Sequence, residues 1–309
     1  MNIKTLRIAT RQSPLALWQA NHVRDLLLAQ WPELKIELVP MTTSGDKFLK
    51  DKLLAIGGKG LFVKELEEAL LDNRADIAVH SSKDMPAEFP AGLCLAVICK
   101  RDNPFDVLVS NQYSSLQDLP PQAIVGTSSL RRQSQLLTYR PDLYIKPLRG
   151  NINTRLAKLE SGEYQAIVLA AAGLERMGFT DAIRQQIPEH IMLPACGQGA
   201  LAIECRTNDQ ETQALIAGLN DPTSAICVHT ERQVNALLGG NCHVPLAVFC
   251  APVAANQLML HAKILNEEGT QILSNQQTGA LVDAPQLAKR CSEELLAQGG
   301  AELLASVPK

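Results

Sequence analysis

The chain has 309 residues, 46% of them hydrophobic and 20% charged, with a formal net charge of −3. The length predicts two or three domains and the balance is that of a soluble globular protein. A nearly neutral chain argues against a main role in coating nucleic acid or an anionic membrane, and leaves room for a local basic pocket.

No apolar run approaches the length of a membrane span, and the start Met1-Asn2-Ile3-Lys4-Thr5-Leu6-Arg7 lacks the apolar centre of a signal peptide. The cytoplasm is therefore the expected compartment. The eight cysteines are scattered without a CxxC pair, which fits reduced thiols better than a disulfide scaffold. Seven are expected to pack as small core hydrophobes. Cys242, after Gly239-Gly240-Asn241, falls in an exposed turn, where a thiol is available for chemistry.

In chain order, Leu6 to Thr10 reads as a strand. Ser13 followed by Pro14 is a helix start, an N-cap before proline in the first turn. Leu15, Leu17, Trp18, His22, Val23, Leu26 and Leu27 then recur at helical spacing. Residues 34–41 alternate as a strand. Residues 42–60 have no periodic apolar support and read as a mobile loop; 61–71 form an amphipathic helix and 75–79 a buried strand.

That strand hands over to His80-Ser81-Ser82-Lys83-Asp84-Met85-Pro86, a polar cluster at a strand end, where ligands bind in open α/β sheets. His80 by itself reads more naturally as a hydrogen-bonding core histidine than as a general base.

The same order returns later. Residues 123–126 form a strand, Thr127-Ser128-Ser129-Leu130 opens a helix carrying Arg131 and Arg132, and 143–148 form a strand ending at Arg149-Gly150-Asn151. A helix containing Arg155 follows, then a strand over 166–170. The repeat implies two parallel-sheet lobes whose helix N-termini face a shared cleft and offer anion sites. Residues 196–204 cross between the lobes.

A helix from Asp221-Pro222 to Leu237, strands at 244–251, 257–265 and 270–275 with a hairpin turn at 266–269, and a helix over 287–296 suggest a small α+β domain with an antiparallel sheet.

Arg11, Arg131, Arg132, Arg149 and Arg155 all fall at predicted strand ends or first helical turns, where cations oppose the helix dipole. Two readings stay open: a solvated basic face, or convergent guanidiniums that bind several carboxylates or phosphates. Three other motifs carry less. Gly57-Gly58-Lys59-Gly60 lacks the leading glycine and the hydroxyl residue of a phosphate loop, and Gly197-x-Gly199 follows a proline and opens a strand. Cys227, His229, Cys242 and His243 have no common zinc spacing.

Six stretches together resemble the porphobilinogen deaminase (hydroxymethylbilane synthase) family: Arg7 to Ala16, GGKGLFVKELE at 57–67, AVHSSKDMP at 78–86, GTSSLRR at 126–132, LRGNINTR at 148–155 and LPACGQG at 193–199. The Gly240-Asn241-Cys242-His243-Val244-Pro245 turn is a further match. In family order they cover essentially the whole chain.

The resemblance implies two periplasmic-binding-protein-like α/β lobes with a cleft between them and a small C-terminal α+β domain with a three-stranded antiparallel sheet. The expected domains are 1–99 with 200–217, 100–199 and 218–309. It implies a dipyrromethane cofactor joined by a thioether at Cys242, onto which four porphobilinogen units are condensed with loss of ammonia before hydroxymethylbilane is released.

By the same resemblance Asp84 is catalytic. Arg11, Ser13, Lys83, Thr127, Ser128, Ser129, Arg131, Arg132, Arg149, Arg155 and Arg176 are the expected binders of cofactor and substrate carboxylates, and Asp46 and Lys59 belong to a lid loop. No metal, nucleic acid or membrane partner is implied, and a monomer is expected. The chain departs from the family at Asn241 and at Phe105, where an arginine is common. Two other classes stay open: a solute-binding module of the same two-lobed fold, and a phosphate or nucleotide enzyme using the arginines.

Overall fold

The computed structural model describes residues 5–47, 62–240 and 244–306. The chain divides into two compact units, Met1–Asp102 with Ala200–Ala225, and Asn103–Gly199 with Ile226–Lys309.

The first unit begins with β1 (Thr5–Arg11), α1 (Pro14–Gln30), β2 (Lys35–Met41), α2 (Ser44–Lys47), α3 (Lys64–Leu71), β3 (Ile77–Ser81), a 3-10 turn at Ser82–Asp84, and β4 (Leu93–Ile98). The second contains β5 (Asp106–Val109), β6 (Ile124–Gly126), α4 (Leu130–Tyr139), β7 (Tyr144–Lys146), α5 (Ile152–Glu160), β8 (Ala166–Ala170), α6 (Ala171–Arg176) and β9 (Ile183–Gln186). The chain returns to the first unit for β10 (Leu201–Arg206) and α7 (Gln210–Ile216). It ends with α8 (Pro222–Leu237), β11 (Leu246–Ala254), β12 (Gln257–Leu265), β13 (Ile272–Ala280), α9 (Ala284–Ala297) and α10 (Gly300–Ala305).

The strand orders are β2-β1-β3-β10-β4 and β7-β6-β8-β5-β9. In each sheet the first three strands run parallel and the fourth is antiparallel to both neighbours. The repeat expected from the sequence is therefore present strand for strand. The lobes are mixed sheets, however, not purely parallel ones. The antiparallel member in each, β10 or β5, is the strand with which the chain enters from the other unit.

In the first sheet, Ala20, Val23 and Leu27 of α1 pack on Leu6, Ile8, Ile77, Val79 and Ile203. Burying each of these larger side chains stabilises by roughly 1.5–3 kcal/mol. Leu66, Ala69 and Leu70 of α3 join Ala9, Ala78 and Leu93 in a separate cluster. The helix expected from residue 61 begins at Lys64, with Glu65 and Glu67 in its first turn where the dipole favours them.

The second sheet is packed by Leu136 with Val125 and Val168 in one cluster, and by Leu148, Leu159 and Leu174 with Val107 and Leu169 in another. The C-terminal strands form a three-stranded antiparallel sheet in the order β11-β12-β13. Leu287, Cys291 and Leu295 of α9 pack against its Val248, Leu260 and Ile264. At the β12–β13 turn, Gly269 has φ +67° and an added Cβ would come 2.2 Å from the Ser134 carbonyl oxygen. Only glycine permits that approach of the hairpin to α4.

Of the cysteines expected in the core, Cys99, Cys205, Cys227, Cys250 and Cys291 are buried, while Cys94 and Cys196 are half-buried. Among the described residues, no helix is long and apolar enough to cross a membrane.

Candidate active site

In the first unit the polar cluster at the end of β3 is held from three sides. The Ser82 N–H donates to the Ala200 carbonyl (2.9 Å) and the Met85 N–H to the Ser82 carbonyl (3.2 Å). Ser81 Oγ accepts from Gln19 Nε2 of α1 at 2.8 Å. This short turn, closed by Pro86, leaves Asp84 exposed at its tip.

Ser13 caps α1 as expected, its Oγ accepting from the Ala16 N–H. The Arg11 guanidinium lies 4.4 Å above the centre of the Phe62 ring. Arg11, Ser13, Gln19, Phe62, His80 and Asp84 line one small cavity of about 60 Å³. A carboxylate, a guanidinium and a hydroxyl at a helix N-terminus thus converge on one space. Such a set can receive an N–H cation through Asp84 and a carboxylate through Arg11. Lys83 is half-buried on the same turn.

Beneath this cavity His80 is a hydrogen-bonding core histidine, in line with its sequence reading. Its Nε2 lies 3.1 Å from Glu204 Oε2 on the neighbouring β10, with both side chains almost fully buried. Burial, with the charge of Glu204 adding to it, pushes the carboxyl of nearby Glu67 up to about 7.

In the second unit Arg131 and Arg132 depart from the first of the two readings. They are not a solvated face: only 5% and 7% of each is exposed. Both converge on Asp106, which is completely buried. Arg131 Nη1 donates to Asp106 Oδ2 (2.8 Å) and to the Leu193 carbonyl (2.7 Å). Arg132 donates through Nε to Asp106 Oδ1 (2.9 Å) and through Nη1 to the Val168 carbonyl (3.0 Å). Gln198 Nε2 adds a bond to Asp106 Oδ1 at 3.1 Å. Burial pulls the Arg132 guanidinium below its ordinary value, and Asp106 opposes that pull. One carboxylate between two guanidiniums leaves a cationic centre.

A second group gathers where β7 turns into α5. Ser128 Oγ donates to the Leu148 carbonyl (3.0 Å) and Arg155 Nε to the Gly150 carbonyl (2.8 Å). Arg149 is half-buried beside them. Gly150 takes φ +119°, and an added Cβ would meet Thr154 at 2.7 Å. Asn151 caps α5 by accepting from the Thr154 N–H.

Thr127 Oγ1 accepts from the Ser129 N–H at 3.1 Å. Ser129 is the N-cap of α4 without a side-chain cap bond. Arg176 is buried and donates through Nη2 to the Gly199 carbonyl at 2.7 Å.

Asp46 falls within α2, and its side chain is outside the described set. Lys59 and Cys242 lie outside the described residues, as does most of the loop assigned to 42–60.

Sequence reasoning missed Asp106, Gln198, Glu67 and Glu204. Asp106 carried a signal: a carboxylate opening the otherwise apolar run Val107-Leu108-Val109 can be buried only against a cation. Among the described residues no group of histidine, cysteine and carboxylate side chains could hold a metal ion.

Residues 6–214 match the family model described as "Porphobilinogen deaminase, dipyromethane cofactor binding domain". Residues 225–297 match "Porphobilinogen deaminase, C-terminal domain". The chain is 67% identical over 308 residues to porphobilinogen deaminase of Legionella pneumophila strain Lens, covering 100% of both chains, and equally identical, with the same coverage, to that of strain Paris. Among solved structures it is similar to the periplasmic aliphatic sulphonate binding protein SsuA from Escherichia coli, with TM-score 0.42 and 16% identity over 75% of this chain and 70% of that one.

Proposed function

The chain belongs to the porphobilinogen deaminase family, and from that premise we propose how its own residues carry the family's reaction. It is a transferase that condenses four porphobilinogen molecules head to tail, losing ammonia each time, onto a covalently bound dipyrromethane, and then releases hydroxymethylbilane by hydrolysis. When bound, the dipyrromethane supplies the electron-rich pyrrole carbon to which the first unit would be joined, each later unit joining the pyrrole added before it.

The donor chemistry of the second unit fits that group. Each pyrrole carries an acetate and a propionate, so the group is a polyanion. The Arg131–Arg132–Asp106 centre is cationic and buried. The α4 N-terminus has no side-chain cap, leaving N–H groups for a carboxylate. Arg131, Arg132, Arg149, Arg155 and Arg176, with Thr127, Ser128 and Ser129, would hold those carboxylates. Cys242 is the proposed attachment residue.

Asp84 is the proposed catalytic group. Its carboxylate accepts a hydrogen bond from the pyrrole N–H of the incoming unit and offsets the positive charge that develops as ammonia departs. Arg11, Ser13 and Lys83 orient that unit through its carboxylates. Asp46 and Lys59 belong to the segment proposed to cover the site.

We also propose a three-domain organisation, 1–99 with 200–217, 100–199 and 218–309, and a monomer acting in the cytoplasm on a small molecule. Composition and family resemblance support these readings.

The observation carrying the site assignment is the convergence of Asp84, Arg11 and Ser13 on one cavity in a chain of this family. Asp84→Ala in the loaded enzyme should lower kcat by roughly 10²–10⁴-fold while the protein keeps its dipyrromethane. Wild-type turnover would overturn the assignment.

A further inference from the structure

The two faces of the first sheet are built differently next to Asp84. On the α1 face β3 and β10 present Val79 and Ile203 to the apolar core. On the α3 face, at the same level, stand His80 and Glu204. The register pairs His80 with Ala202 and Glu204 with Ala78, so the two lie diagonally across the ladder on one side. Glu67 of α3 is buried over that side.

Two titratable groups therefore stand opposite Ala202 and Ala78 in the ladder, with Glu67 on the helix over them, and all three are at most 8% exposed. Among the described residues Glu67 Oε1 and Glu204 Oε1 are both buried without a hydrogen-bond partner, and so is Ser82 Oγ in the turn that carries Asp84. Buried unpartnered acceptors beside a histidine are expensive for folding alone, and their location under the cavity wall gives them a use.

We propose that Glu67, buried over the His80–Glu204 contact, forms with it one unit that positions the Ser81–Asp84 turn and sets the charge of the cavity wall behind Asp84. The proposal rests on the catalytic reading of Asp84. The three groups are positioning residues: they act through the turn and the field, and bond no reacting atom.

Ionised, Glu67 places an unpaired negative charge in this buried space; protonated, it places none. Loss of the Glu67 proton makes the wall more negative, which favours a cation forming at Asp84 and raises kcat with pH.

Among the described residues the charged groups around this unit include Glu68 on α3, Arg206 at the end of β10, which donates to the Leu70 carbonyl of α3 and pairs with Asp76, Arg11 at the end of β1, and Lys83 and Asp84 on the turn. From α1 comes the uncharged Gln19, and β4 carries no charged residue.

The test uses loaded holoenzyme. Wild-type kcat should rise roughly tenfold through a step near pH 7, with KM changing less than about twofold. Glu67→Gln, which mimics the protonated acid at the same size, should fold and turn over but lose that step. His80→Gln keeps an N–H for Glu204 and should retain more kcat than His80→Leu.

In parallel, nitrogen-15 histidine spectra of the holoenzyme should show the His80 ring shifting through the same step, with the shift lost in Glu67→Gln. The step should persist in Asp84→Asn, whether or not that variant turns over, which separates failure of this proposal from failure of the Asp84 assignment. A wild-type kcat–pH profile in Glu67→Gln, a His80 signal that ignores Glu67, or wild-type kcat in His80→Leu would overturn the proposal.

Discussion

Replacing Asp106 with alanine is the sharpest structural perturbation available in the second unit. Its carboxylate is wholly buried and accepts from Arg131 Nη1 at 2.8 Å, from Arg132 Nε at 2.9 Å and Nη2 at 2.8 Å, and from Gln198 Nε2 at 3.1 Å. Removing one partner of a buried ion pair costs about 3–5 kcal/mol because the remaining charge stays desolvated; here two guanidiniums are left.

For a unit of this size, ~1 kcal/mol lowers Tm by about 2–4 °C, so Asp106→Ala should lower it by roughly 6–20 °C. The loss should hardly respond to salt, since buried pairs are poorly screened. Differential scanning calorimetry at two salt concentrations measures it. Adding Arg132→Met should recover part of the loss by removing one unpaired cation. A folded Asp106→Ala protein melting within about 2 °C of the wild type would refute the reasoning.

Other outcomes follow from the same geometry. Arg131→Leu or Arg132→Leu should cripple dipyrromethane loading or porphobilinogen use; normal loading and kinetics in both would reduce these arginines to a structural pair with Asp106. In the first unit, burial pushes the Asp76 carboxyl up, but bonds from the Arg7 side chain and N–H, the Arg7 charge and Arg206 outweigh it and hold it below its ordinary value.

A depressed carboxylate contributes stability that is complete above the unfolded value near ~4 and is lost as pH falls through the lower folded value. Asp76→Asn should therefore cost about 1–2 kcal/mol at pH 7 and flatten the acid decline in urea unfolding. An unchanged acid limb would contradict the linkage. Gly269→Ala should destabilise the hairpin against α4, because its Cβ would strike the Ser134 carbonyl at 2.2 Å; a wild-type Tm would show that the turn can move.

Much of the scaffold was legible because its elements carry strong local signals. Ser13-Pro14 located the start of α1, and the apolar strands leading to Asp84 and Thr127 gave the repeated lobe. The turn at 266–269 and its flanking strands gave the C-terminal sheet. Strands β5 and β9 were harder. β9 is a short run, Ile183-Arg184-Gln185-Gln186, with no apolar periodicity, and its place is set by pairing with β5.

At the site, position in the turn pointed to Asp84 and Arg11 without knowledge of packing. The partnership of Arg131 and Arg132 with Asp106 was not legible, since it joins residues 25 and 26 positions apart through a fold that brings β5 alongside β8. The same holds for His80 and Glu204, 124 residues apart. Sequence marks where polar groups sit, while long-range pairing decides which of them are already engaged.

Covalent growth of a pyrrole chain at Cys242 is tested directly by intact-mass spectrometry. The purified protein should carry an excess equal to two linked pyrrole units, located by fragmentation to Cys242 and not to Cys250 in the tryptic peptide spanning both. Incubation with porphobilinogen should then add discrete further units, and Cys242→Ser should abolish the ladder. An unmodified protein that gains no mass and forms no product with porphobilinogen would contradict the account.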